Sequence, residues 1–419
     1  MTWLHVFNCS IAALFLLCYS YQLFYIVYGC FKKSKIYPEV EPKNRYAVLI
    51  PARNEEAVIG QLIDSIKKQD YPLELLDIYV LADNCDDKTK EVAEASGAIV
   101  YERQNKLKVG KGFALEFLLN IIKKTKTLDY YDGYFIFDAD NLLNARYITE
   151  MDKCLSAGNK IVTSYRNSKN YGTNWISAGY SLWFLREARF LNNVRTLLGT
   201  SCAVSGTGFL VHRDIIKKQN GWKHFLLTED IEFTTDQVIQ GESVAYCDAA
   251  QFYDEQPVTF MQSWNQRLRW SKGFLQVWRC YGSKLLRGCV KEKRFSCYDM
   301  LMTIAPAFVT SILTIVVNTG ALAYALIFNT KLIVPVLIEC AITFISIYLT
   351  LWFVGAISGI YEWKNIRCSV FKKIKSFFTF PFFMLTYIPI SITALFKNVT
   401  WKDIQHHVSD TIDSLEGNA

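Results

Sequence analysis

Three stretches of this chain, residues 1–31, 300–330 and 376–396, contain no Asp, Glu, Lys or Arg. Each is long enough to cross the roughly 30 Å hydrocarbon core of a bilayer as a helix. A fourth, residues 332–361, is interrupted by a single acid, Glu339. No single soluble domain tolerates so much uninterrupted apolar sequence, and no simple bundle needs the polar middle between the stretches. Two compartments are therefore expected: an anchor over 1–31, a polar domain over 45–258, interfacial helices over 259–299, about three C-terminal spans within 300–396, and a tail over 397–419. The first stretch is expected to be an uncleaved anchor rather than a signal peptide. Its apolar run exceeds the usual h-region, and Lys32, Lys33 and Lys35 follow it instead of preceding it.

Those lysines, with Lys284, Arg287, Lys291, Lys293 and Arg294 before the second stretch, flank the polar middle on both sides. Lys364, Arg367, Lys372, Lys373 and Lys375 add a third basic cluster. The positive-inside rule then expects an integral membrane protein with a cytoplasmic domain. It also accounts for the formal net charge of +7 through anionic lipid headgroups, without nucleic acid as a partner. Twelve cysteines occur without a C-x-x-C pair, which argues against a disulfide framework or a structural zinc.

The polar middle alternates short β-rich apolar runs with amphipathic stretches, the pattern of an α/β domain with a mainly parallel sheet. Strands are expected over 46–50, 77–82, 98–101 and 133–137. Helices are expected over 55–69, opening with Glu55 and Glu56 at its positive end, and over 86–95, capped by an Asp-rich turn. Ligands of such sheets bind beyond the carboxyl ends of the strands.

Chemistry-bearing residues stand at those ends. Arg53 and Glu55 follow the first strand, at an edge suited to a phosphate or a base. Asp83 ends the second. Asp138-Ala139-Asp140 ends the fourth, where i, i+2 spacing on extended chain would turn both carboxylates to one side to hold Mg²⁺ or Mn²⁺ against a diphosphate. Alone, Asp-x-Asp is weak evidence, because most occurrences are turns or exposed edges. Lys111, ahead of a helix beginning near Phe113, has two open readings: a phosphate contact or a solvated loop lysine. Thr228-Glu229-Asp230 opens a helix running to about Gln240. Its plain reading is an N-cap by Thr228 with dipole-favoured acids, and its functional one makes Asp230 the general base for an acceptor hydroxyl.

Within 260–278, Phe260, Trp264, Leu268, Ser271, Leu275 and Trp278 form a stripe that suggests a helix lying at the membrane interface. Gln266, Arg269 and Trp270 share another face by i, i+3, i+4 spacing. An interfacial belt explains Trp264 and Trp278 but not that grouping. Residues 174–193 read equally as an interfacial or a core helix. Glu339 reads as a lining of a glycan path or as a wetted carboxylate.

Asp83, Asp138-x-Asp140, Thr228-Glu229-Asp230 and Gln266-x-x-Arg269-Trp270, in this order, resemble the membrane glycosyltransferases of family 2: the processive cellulose, chitin and hyaluronan synthases, and also the ceramide glucosyltransferases. The resemblance covers about 46–278 and implies a GT-A, Rossmann-like fold and a UDP-sugar donor. It implies that Asp83 contacts uracil and ribose, and that Asp138 and Asp140 meet the diphosphate and a Mg²⁺ or Mn²⁺ ion. It further implies that Asp230, with Glu229 beside it, supplies the base, and that Gln266, Arg269 and Trp270 hold the pyrophosphate and line the acceptor entrance. The loop at Gly206 and Thr207 is similar to the family's acceptor-side loop. The large synthases carry more spans than this chain, which puts a long closed channel in doubt.

Three functional readings follow. The first is processive synthesis of a β-linked polysaccharide, possibly with translocation, from a UDP-sugar onto a glycan. The second is non-processive transfer to a lipid-linked acceptor. The third, a non-catalytic scaffold or transporter, predicts loss of carboxylates that this chain keeps. Sugar identity, linkage, oligomeric state and the side of the C-terminal tail are left open; a re-entrant segment around Pro381 and Pro389 would put the tail on the domain's side.

Overall fold

A computed structural model describes residues 2–304, 306–400, 406 and 411–417. The polar middle folds around one eight-stranded sheet, β1 (Tyr46–Ala52), β2 (Leu76–Asp83), β3 (Ile99–Arg103), β4 (Gly133–Ile136), β5 (Leu142–Leu143), β6 (Ile161–Ser168), β7 (Phe209–His212) and β8 (Val244–Asp254). Their order is β3-β2-β1-β4-β7-β6-β8-β5. The first four strands are parallel; β7 then runs antiparallel between β4 and β6, so the second half is mixed rather than parallel as expected.

β1 reads as a nearly continuous apolar run because both its faces are covered. Ala47 and Leu49 pack against Leu115, Leu118 and Ile122 of α4 (Lys111–Thr125). Val48 and Ile50 pack against Leu62, Ile63 and Ile66 of α2 (Ile59–Lys67). The remaining helices of this part are α1 (Thr2–Phe31), α3 (Thr89–Ala95), α5 (Tyr147–Ser156), α6 (Trp175–Arg186), α7 (Asn193–Leu197), α8 (Arg213–Lys218) and α9 (Glu229–Ile239). A π-helical turn, Glu187–Asn192, links α6 to α7.

Two helix starts differ from expectation. α2 begins four residues late, because Glu55 and Glu56 lie in a turn: the Glu55 carbonyl accepts from Val58 and Ile59. The Asp-rich turn before α3 binds that turn instead of capping a helix from residue 86. Asp87 accepts from the backbone of Glu56 and Thr89, and Glu56 accepts from that of Lys88.

The rest is helical: α10 (Phe260–Val290), α11 (Phe295–Ile304), α12 (Pro306–Phe328), α13 (Ile333–Tyr361), α14 (Val370–Leu385), α15 (Tyr387–Phe396) and the short α16 (Ile412–Gly417). Among the described residues, four helical stretches are long and apolar enough to cross a membrane: 3–31, 295–328, 330–361 and 370–396. The last is broken at Thr386. Arg367, just before it, donates to the Tyr253 hydroxyl (3.0 Å), and beyond it Ile412 packs on the same Tyr253 while Asp413 pairs with Lys68 at 2.5 Å. Both ends of α14–α15 therefore meet the sheet domain. His406, Ile412 and Asp413 of the tail thus lie beside the sheet domain, the arrangement that a re-entrant α14–α15 pair would give.

α14 runs close along α13, where Phe377 and Phe380 lie over Gly359 and Gly355; small residues permit such approach between helices in lipid. The middle of the α10 stripe is covered by protein, since Leu268 packs on Ile390 and Ala394 of α15 with Trp264 and Leu275 beside them, while its ends, Phe260 and Trp278, stay exposed. Residues 174–193 form core. Asn174 and Ser177 make a capping box, and α6 lies between β6, α13 and α14. Glu339 meets His5 of α1 at 3.1 Å, next to paired Asn8 and Asn318, in a polar contact between helices.

Candidate active site

The carboxyl ends of β1, β2 and β4, the loop before β7, the start of α9 and one face of α10 converge on one edge of the sheet. Asp83 ends β2, buried. Arg103, opposite it in the parallel ladder, grips both its oxygens at 2.8 Å, and Asn84 Nδ2 donates a third bond. A carboxylate so held presents a fixed face to whatever lies above the strand.

Asp138 and Asp140 do not sit on extended chain. β4 stops at Ile136, and the Asn141 amide bonds back to the Asp138 carbonyl in a turn (3.2 Å). The turn is held by Thr207, whose hydroxyl accepts from the Asp138 amide (2.8 Å) and donates to Asn141. Asp138 stays partly open; Asp140 is buried and accepts from the Glu255 amide at 2.9 Å. Burial pushes Asp140 up, but His406, Lys169, that amide and Arg166 outweigh it and hold the carboxyl below its ordinary range.

Among the described residues no three His, Cys, Asp or Glu side chains gather at ligand distance. The two carboxylates fit Mg²⁺ or Mn²⁺ in the manner of sites where substrate phosphates and water complete the shell.

Lys111 is no solvated loop residue. It is the first residue of α4, and its ammonium bonds both Asp138 and the Gly206 carbonyl (2.8 Å). Gly206 has φ +88°, and a Cβ there would stand 3.6 Å from Asp230 Oδ2. The loop thus bridges the lysine on one side and the aspartate on the other.

Glu229 and Asp230 begin α9, but Thr228 gives no side-chain cap. Its hydroxyl faces Gly273 of α10, where a Cβ would fall 2.4 Å away. The capping reading therefore fails, because α10 presses where a cap would form. Burial, then Asp230, push Glu229 up to about 8, against Lys111 and Arg269. Burial raises Asp230 too, opposed by the Ile231 amide, Arg269 and Lys111. Both carboxyls of this neighbouring pair are thus raised above the ordinary carboxylate range by their burial.

Arg269 donates to the Leu227 carbonyl (3.3 Å), Trp270 meets Tyr180 and Phe184 edge-on, and Gln266 keeps a buried Oε1 without a hydrogen-bond partner among the described residues. Three sequence-predicted groups, around Asp138, Asp230 and Arg269, thus form one site. Arg53 and Glu55 lie at its β1 side.

Sequence reasoning missed four residues. Arg103 is one. Arg166 on β6 ties Asp254 (2.7 Å) to the Ser205 carbonyl (2.9 Å) and so steadies the Gly206 loop. Arg267, wholly buried inside the Gln266–Trp270 motif, donates to the Phe383 carbonyl (3.0 Å) and Thr386 hydroxyl (2.7 Å) at the α14–α15 break, among the rings of Phe383 and Tyr387. His406 from the tail binds both Glu55 oxygens at 3.0 and 2.9 Å. Burial depresses His406, but Asp140 and Glu55 raise it to about 10; burial in turn lifts Glu55 to about 7.

Residues 42–273 match the sequence profile of the family described as Glycosyltransferase like family 2. The chain belongs to this family. Among relatives of this family 2 protein, a Bacillus subtilis protein named "Probable glycosyltransferase YdaM" is 26% identical over 249 residues, 55% of each chain. The Beta-monoglucosyldiacylglycerol synthase of Trichormus variabilis is 25% identical over 268 residues, 61% of this chain and 54% of that one. The chain spans about half the length of these relatives. Among solved structures, the mannosyltransferase PcManGT from Pyrobaculum calidifontis, in complex with GDP-Man and Mn²⁺, superposes with a TM-score of 0.54 at 15% identity, over 93% of this chain and 99% of that one. The shared fold is the GT-A type expected from the resemblance. The relatives thus include a glycolipid synthase.

Proposed function

We propose that this family 2 glycosyltransferase moves a sugar from a UDP-sugar to a hydroxyl of a lipid acceptor at the cytoplasmic membrane surface, with inversion. One observation carries the reading: Asp230 lies between the Lys111–Asp138 edge and α10, a helix that packs on α15 and leads through α11 into a membrane-long stretch. An acceptor that reaches Asp230 from the α10 side arrives from the bilayer.

In this mechanism Asp83, held by Arg103, takes the nucleoside, with Arg53 and Glu55 at the same edge. Lys111 and Arg269 face the diphosphate. Asp138 and Asp140 would hold Mg²⁺ or Mn²⁺, which supplies positive charge to the leaving diphosphate. Asp230 removes the acceptor proton as the oxygen attacks the anomeric carbon and the bond to UDP breaks, while Glu229 keeps its own proton. Gly206 and Thr207 shape the acceptor side, and Trp270 with Gln266 lines its entrance.

The test is to incubate the protein in nanodiscs with radiolabelled UDP-sugars and Mg²⁺ or Mn²⁺, then separate lipid-extractable from high-molecular-weight products. Label in the lipid fraction supports the proposal. Label only in polymer restores processive synthesis and overturns it.

A further inference from the structure

The π-helical turn between α6 and α7 brings residues five apart onto one face, so Glu187 and Asn192 both line a narrow crevice in the sheet domain. Arg166, Phe184 and Ser205 form its other walls. Its free space is about 10 Å³, the room of a single water or hydroxyl oxygen. Such turns inside longer helices occur frequently at functional sites.

Three polar groups line this space unspent. Glu187 is only partly buried and forms no hydrogen bond or ion pair among the described residues. The arginines around it are engaged elsewhere: Arg166 by Asp254 and the Ser205 carbonyl, Arg195 by Asp299, and Arg186 by Gln22 at 2.7 Å. The side-chain oxygen of buried Asn192 accepts from Arg195 at 3.4 Å, but its amide nitrogen donates to nothing among the described residues. Ser205 engages only its carbonyl, leaving its hydroxyl without a partner there. Polar groups inside a protein cost free energy until a ligand or a water meets them. A carboxyl, an amide donor and a hydroxyl around room for one oxygen match an alcohol group, which donates one hydrogen bond and accepts others.

The crevice adjoins the reacting centre. Ser205 precedes Gly206, where a Cβ would stand 3.6 Å from Asp230 Oδ2, and Phe184 meets Trp270 edge-on. Loss of water raises the Glu187 carboxyl, the charges of Arg195, Arg166 and Arg186 lower it, and that of Asp230 raises it, so the base lies within electrostatic reach.

We propose that the crevice receives a second hydroxyl of the acceptor, a neighbour of the one that Asp230 deprotonates. On the lipid reading, on which this rests, the acceptor therefore carries a sugar or polyol head and not a lone hydroxyl. Glu187 holds that head, with Asn192 and Ser205 beside it. A lipid with a lone hydroxyl leaves the crevice to water and forgoes the contact.

The test uses the full chain in nanodiscs with the radiolabelled UDP-sugar it turns over, offered either diacylglycerol, which has one free hydroxyl, or monoglucosyldiacylglycerol, which has several. Wild type is expected to favour the glucosyl lipid in kcat/KM by about tenfold, between the scales of a neutral and a charged hydrogen bond. Glu187→Ala is expected to slow the two acceptors unequally and to cut that ratio about tenfold, and Glu187→Gln, which keeps an oxygen in place, to restore part of it. A merely structural role would slow both acceptors alike. Ser205→Ala removes a hydroxyl that bonds nothing in the fold and is expected to cut the ratio about fivefold; it decides if the Glu187 variants fail to fold. A wild-type ratio near one overturns the inference and leaves the lipid reading standing. So does an unchanged ratio in folded Glu187→Ala, or in Ser205→Ala where that variant does not fold, which makes the crevice a water site. Label in polymer with neither lipid labelled overturns the lipid reading and this inference with it.

Discussion

A single methyl group placed at Gly273 tests whether the apposition of α10 and α9 sets the catalytic geometry. An alanine Cβ would lie 2.4 Å from Thr228 Oγ1 and 2.5 Å from its Cγ2, about 1 Å short of ordinary van der Waals contact. The contact cannot be relieved by one rotamer, because both γ atoms and the Cβ of Thr228 (2.9 Å) face the same point. Either α10 retreats, carrying Arg269 and Trp270 with it, or Thr228 does, carrying Glu229 and Asp230. Overpacking of this kind costs about 1–3 kcal/mol in stability, and a displacement of about 1 Å between reacting groups costs about a hundredfold in rate. Gly273→Ala is therefore expected to fold, to melt a few degrees lower, and to lose about a hundredfold in kcat with a smaller change in donor KM. Thr228→Ala removes the two nearest atoms and forfeits no hydrogen bond, so the double variant Thr228→Ala/Gly273→Ala should recover most of the loss. Steady-state kinetics with a labelled donor would read both. A kcat within a few-fold of wild type for Gly273→Ala, or no rescue in the double variant, would refute the reasoning.

Asp230→Asn should abolish transfer while UDP binding, measured by calorimetry, stays near wild type, because the base acts on the acceptor; parallel loss of both would remove that role. Arg103→Met leaves Asp83 buried with only Asn84 as side-chain donor, which costs about 3 kcal/mol, the lower end for a broken buried pair. It should lower the melting temperature and weaken UDP binding together; unchanged UDP affinity would detach Asp83 from the nucleoside. Glu229 remains protonated in the fold to about pH 8, whereas the unfolded chain ionises it near 4.5, so the folded state binds more protons in that window and stability falls as pH rises through it. Glu229→Gln should therefore match wild type in thermal stability below the window and exceed it above. Parallel pH–stability curves for the two proteins would contradict the assignment.

Much of this was legible in the sequence, and what was not has identifiable causes. β1, β2 and β4 announced themselves because each is buried on both faces, whereas β5 to β8 were not read from the sequence; the carboxylates at strand ends were found because strand ends are where a doubly covered sheet exposes chemistry. The convergence of the Asp138, Asp230 and Arg269 groups rested on resemblance, since no local pattern relates residues so far apart in the chain. Arg103 was within reach: its strand was expected to end at Tyr101, and two more residues in parallel register put it opposite Asp83. The i, i+2 argument at Asp138 failed because Thr207 folds that segment into a turn. The stripe on α10 was rightly seen as apolar, but periodicity reports a buried face without saying what buries it, and α15 covers the middle of this one. Arg267 and His406 left no signal at all. A buried cation in an aromatic cage and a histidine 351 positions from its carboxylate partner are products of tertiary structure alone.

The packing of α6 bears on how this protein can be handled. One continuous core holds strand residues such as Leu49 and Phe209, Leu182 and Leu185 of α6, and Ala356, Phe377 and Phe380 from the membrane-side helices α13 and α14. No seam separates a water-soluble enzyme from its anchor. A polypeptide cut at residue 258 would strip α6 of its outer cover and leave Tyr180 and Phe184 without Phe383. The whole assembly is thus expected to melt in a single cooperative transition, and reconstitution in lipid, rather than trimming, is the route to a working preparation.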